Sequence, residues 1–130
     1  MGAVNWLAVA VAAVLATAIA SLWHGLLFPA ARARIQGTSR SQSKVLLTAL
    51  VFLLAAIMLG HNFARIGKPT LDVKPWLYFM QTGGVALFFV IPTVALTQAR
   101  SATEPGRRLL DCGFWLVAYL AMGLTFWLLG

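Results

Sequence analysis

Four apolar runs, at about residues 5–28, 45–66, 76–98 and 109–129, occupy nearly all of this chain of 130 residues. A hydrocarbon core about 30 Å thick is crossed by on the order of 20 helical residues rising ~1.5 Å each, and every run meets that length. Backbone amides in lipid are satisfied only within helices or closed barrels, and long uninterrupted apolar runs are helical. The expected architecture is therefore all-α: one integral membrane domain, a four-helix transmembrane bundle running up-down-up-down.

Composition excludes the alternatives. With 61% hydrophobic and 10% charged residues, the chain has too little polar surface for a water-soluble globule. Its connecting segments are too short to bury a core of their own. A net charge of +7 in a soluble protein would suggest nucleic acid. Here the basic residues fall in the loops, where anionic lipid head groups are the nearer counterions, so no nucleic-acid partner is expected. Cys112 has no second thiol to pair with and reads as a small packing residue. Residues 1–6 carry no Lys or Arg, and the first run is of full spanning length, so it is expected to stay as a helix and not to be a cleaved export signal.

Local signals set the boundaries. Asn5 is a good helix N-cap, Gly67 followed by Lys68 and Pro69 is a stop pattern, and Pro75 suits the entry to the third helix. Pro92 predicts a kink near residues 88–92. Trp6, Trp23, Trp76, Trp115 and Trp127 all lie near expected helix ends, where amphipathic rings settle at head-group level as interface anchors. Loops one and three share a side and hold Arg32, Arg34, Arg40, Lys44, Arg100, Arg107 and Arg108, against Arg65, Lys68 and Lys74 in loop two. Basic residues in short loops are retained in the cytoplasm, which predicts both termini outside.

Helices in lipid gain little from the hydrophobic effect and pack through small residues. Ala8, Ala12, Ala16 and Ala20 form one small-residue stripe, and Ala56, Gly60 and Ala64 form another. The first two helices are expected to pair antiparallel through them, although the same stripes suit a homodimer or a partner subunit.

Four polar residues are candidates for chemistry: His24, His61, Gln81 and Asp111. Two histidines in apolar helices suggest bis-imidazole haem ligation, but their levels differ by roughly 13 residues, about 20 Å of helix, whereas two nitrogens on one metal lie ~4 Å apart. Either could act singly, as a pigment or haem ligand or in a proton path. Asp111 in the first turn of the fourth helix could carry a proton, yet Arg107 four residues earlier favours structural pairing. Gln81, Thr82, Gly83 and Gly84 could line a small polar cavity or simply pack helices. Small four-helix multidrug exporters work through a glutamate in the first helix, and this chain has none there. No catalytic triad, metal-spaced cluster or phosphate loop is evident, so neither enzymatic activity nor a cofactor is expected.

Asn5-Trp6-Leu7-Ala8-Val9, Trp23, Leu26-Leu27-Phe28 and the closing Ala118-Tyr119-Leu120-Ala121-Met122-Gly123 resemble a family of small bacterial membrane proteins catalogued as domain of unknown function 1761. The likeness covers nearly the whole chain. It implies a four-helix membrane protein and carries no established activity or site residues. The expected role is that of a non-catalytic accessory subunit of the bacterial inner membrane, in contact with lipids and with other membrane proteins or further copies of itself. The alternatives are a small proton- or ion-coupled transporter or channel, and a single-histidine pigment binder.

Overall fold

The computed structural model describes residues 3–23, 42–101 and 104–130, and every regular element in them is helical. The helices are α1 (Trp6–Leu22), α2 (Gln42–Ile66), α3 (Lys68–Val73), α4 (Trp76–Val85), α5 (Ile91–Arg100) and α6 (Pro105–Leu129), and a π-helical turn, Ala86–Val90, joins α4 to α5. Val45–Ile66, Trp76–Arg100 and Pro105–Leu129 are long and apolar enough to cross a membrane, and Trp6–Leu22 is a shorter apolar helix. His24, Arg32, Arg34 and Arg40 lie outside the described residues, as does the side chain of Lys44.

Asn5 starts α1 by accepting a hydrogen bond from Ala8 N at 3.1 Å, which satisfies one of the amides that the first turn leaves without a partner. The same side chain also reaches the far end of the sequence, where its Nδ2 donates to Leu129 O at 2.9 Å. One amide thus caps the beginning of α1 and the end of α6.

At the end of α2 the stop pattern acts through Gly67, whose φ of 92° lies in the left-handed region that only glycine enters without strain. Its N–H closes the last turn on Phe63 O at 3.0 Å. The following stretch, expected as a plain loop, instead forms the short helix α3. Pro69 presets its first turn, Lys68 reaches Asp72 at 3.1 Å across one turn, and buried Leu71 ties it to the core. Gly67→Ala is expected to lower unfolding free energy by roughly 1–2 kcal/mol in a denaturant titration, the cost of a Cβ in that backbone region.

The irregularity expected at Pro92 takes the form of the π turn. Proline has no N–H to donate, and its ring crowds the carbonyl four residues earlier. Ile91 N donates to Ala86 O, the wider spacing of a π turn, and Thr93 Oγ1 donates to Phe89 O at 2.7 Å. The last helix begins at Pro105, four residues before the expected 109, because proline is well placed in a first turn. Arg107 and Arg108 therefore stand on the helix and not in the preceding loop.

Close approaches between glycines and their neighbours fix the packing. A Cβ on Gly60 of α2 would lie 2.7 Å from Val9 Cγ2 of α1 and 3.3 Å from Val4 Cγ1 just ahead of it, so the two helices touch there. α1 also packs on α6, where the ring of Trp23 is 6.2 Å from that of Phe114. Phe52, fully buried, meets both Phe114 and Trp115 and joins α2 to α6. The α4–α6 contact centres on Gly123, where a Cβ would strike Thr82 and sit 3.1 Å from Tyr78 O, and on Gly83, where it would lie 3.3 Å from Leu120. α5, in contrast, rests on α6 and the π turn and contributes no buried residue.

Candidate functional site

The small-residue stripes converge. Ala8, Ala12, Ala16 and Ala20 are all buried on α1, with Ala56 and Gly60 buried on α2 and Ala64 half-buried. These faces are consumed inside the chain by contacts of α1 with α2 and α6. Among the tryptophans, Trp6, Trp76 and Trp127 are exposed, whereas Trp23 and Trp115 are half-buried and join the aromatic cluster around Phe114.

The polar candidates do not come together. His61 is exposed, edge-on to the Trp6 ring at 5.8 Å, with Nδ1 2.9 Å from Ile57 O. A carbonyl only accepts, so Nδ1 carries a proton and donates in this contact. His61→Ala should change stability by no more than about 0.5 kcal/mol in a thermal melt, since an exposed side chain with one local hydrogen bond is lost.

Asp111 lies near the opposite end of the fold. Gln98 Nε2 of α5 donates to its Oδ2, so one hydrogen-bond partner comes from a neighbouring helix. Arg107 Nε and Gln98 Oε1 are buried nearby without hydrogen-bond partners among the described residues. From Asp111 to Phe126, which packs on Phe63 beside the His61 end, is fifteen residues of α6, or about 22 Å. Between them Thr82 is fully buried and bonds back to Tyr78 O at 2.9 Å, while Gly83 faces Leu120. Thr82 and Gly83 are thus used for helix contact, whereas Gly84 faces open space and Gln81 is half-buried.

A polar-rimmed cavity does occur at the Asn5 end, with a volume of about 290 Å³. Phe63, Leu71 and Phe126 supply apolar walls, and Asn5, Lys68 and Tyr78 supply polar groups. Lys68 Nζ donates to Gly130 O at 2.7 Å as well as to Asp72, so it and Asn5 satisfy the last carbonyls of α6 from outside that helix. Tyr78 is 5% exposed, its ring lies 4.9 Å from that of Phe63, and its hydroxyl faces Gly130. Neither Lys68 nor Tyr78 stands out in the sequence as a site residue. The one local sign is the Lys68–Asp72 spacing, because the other partners lie far along the chain.

Among the described residues no group of three or more His, Cys, Asp or Glu side chains is placed to hold a metal ion. A family model described as protein of unknown function (DUF1761) matches residues 7–127. No curated protein and no solved structure matches the chain significantly.

Proposed function

Because the chain belongs to this DUF1761 family of unknown function, we propose a role from its own helices: a non-catalytic, four-span accessory protein of the bacterial inner membrane that packs against other membrane proteins. Its helices run up-down-up-down, with α1 in the first span and both ends of the sequence outside. Contact pairs support the alternating direction: Val9 meets Gly60, Trp23 and Phe52 both meet Phe114, Thr82 meets Gly123, and Gln98 meets Asp111, as expected of neighbours that run antiparallel. The excess of Lys and Arg in loops one and three favours a cytoplasmic placement for them.

The observation that carries the accessory role is the third span. The stripes on α1 and α2 are already occupied, whereas no residue of Ile91–Arg100 is fully buried within the chain. Its approach through the π turn presents Leu87, Phe88 and Phe89 outward, Phe88 at 77% exposure. π turns in helices are frequent at functional positions, and half a span resting on one neighbour leaves a wide face for another helix.

A photo-cross-linking residue at Phe88, with one at exposed Val14 of α1 for comparison, tests this in membranes. A discrete protein adduct is expected from Phe88 and none from Val14. Lipid adducts alone at both positions, together with a monomer in repeated mild-detergent preparations, would count against the accessory role.

A further inference from the structure

The cavity at the Asn5 end is lined by hydrogen-bond donors that the chain's own contacts do not exhaust. Lys68 has three N–H groups, of which one serves Asp72 and one Gly130 O, leaving a third. Asn5 Nδ2 uses one of two N–H groups on Leu129 O, and its Oδ1 is taken by Ala8 N. Tyr78, only 5% exposed, lines the cavity, and its hydroxyl has no hydrogen-bond partner among the described residues. Open to the cavity, that hydroxyl is free to donate to an occupant.

What is left over is therefore donors above an apolar floor of Phe63, Leu71 and Phe126. Such a set suits an acceptor-rich anion that carries some hydrocarbon. Charge agrees: the charged side chain in the lining is the cationic Lys68. Exposed Trp6, Trp76 and Trp127 lie at the same end of the fold, the level where membrane tryptophans meet head groups. A volume of about 290 Å³ is at the small end of ligand pockets, enough for a head group and its first carbons but not for a whole lipid.

We infer that this cavity binds a phosphate-bearing head group, with the third Lys68 N–H, the free Asn5 N–H and the Tyr78 hydroxyl donating to its oxygens. Such a site is independent of the accessory role, since the cavity and the third-span face are different surfaces.

The full chain, purified in an uncharged detergent, is titrated with phosphatidylglycerol and separately with inorganic phosphate while its thermal unfolding is followed. Phosphatidylglycerol is expected to raise the midpoint, and Tyr78→Phe, which removes only the hydroxyl, should weaken that effect at least threefold. Lys74→Gln, an exposed charge beyond the cavity, should leave it unchanged. An equal, Tyr78-dependent shift with inorganic phosphate supports the anion site and assigns the free ion as its occupant. No shift with either probe, or the same shift in wild type and Tyr78→Phe, overturns the inference. Tyr78→Phe keeps the ring that packs on Phe63, so its fold is expected to survive for the comparison.

Discussion

Gly123→Val is expected to be among the most damaging single substitutions in this protein. The new Cβ would collide with Thr82 Oγ1 and lie 3.1 Å from Tyr78 O, which is backbone and cannot turn away. Thr82 is fully buried and held by its bond to Tyr78 O at 2.9 Å, so its side chain has no alternative space. Separating α4 from α6 is the remaining response, and overpacking of this kind costs about 1–3 kcal/mol, with larger values where backbone must move. Denaturant unfolding in micelles, followed by tryptophan fluorescence, measures it. Gly84→Ala is the matched control: nothing lies within 4 Å of its Cβ, and a better helix former should stabilise by about 0.5–1 kcal/mol. Combining Gly123→Ala with Thr82→Ala should recover much of what Gly123→Ala loses, because the second change removes the atoms struck by the first.

Ala12→Leu should destabilise on a similar scale, by roughly 1–3 kcal/mol or more. Ala8, Ala12 and Ala16 are fully buried where α1 meets α2 and α6, and the α2 partner face is equally short, with buried Ala56 and Gly60. In lipid, helix association relies on this closeness of backbones, so a branched side chain removes contacts along the whole seam. Val14→Leu on the exposed face should stay within about 0.5 kcal/mol of wild type in the same titration. If Ala12→Leu were as stable as Val14→Leu, the stripe would not be the seam of the fold.

These two sites differ in how far they could be read from residues alone. The alanine stripe is a periodic pattern, and helical periodicity is a local property that places Ala8, Ala12 and Ala16 on one face. Gly83 and Gly84 look identical in sequence, yet one faces Leu120 and the other open space, a difference set by where α6 lies. Asn5 is legible as an N-cap because its partner is three residues away; its bond to Leu129 O depends on the two ends of the chain meeting. Arg107 is the natural local neighbour of Asp111, whereas the bond it accepts from Gln98 depends on where another helix lies. The cavity has the least local signature, since Asn5, Lys68 and Tyr78 reach it from three separate elements. Pro92 announces an irregular helix, while the π turn that absorbs it depends on how Ala86–Val90 is held.

The proposed fold stands on alternating spans, and side-specific labelling tests that arrangement most directly. With Cys112 replaced by serine, single cysteines at Thr70, beside the end where Asn5 and Gly130 meet, and at Ser101, beside the Gln98 end, are exposed to a membrane-impermeant maleimide on intact cells. Thr70→Cys is expected to label from outside, and Ser101→Cys only after the membrane is permeabilised. Labelling of both from the same side, or of Ser101→Cys alone in intact cells, would contradict the arrangement.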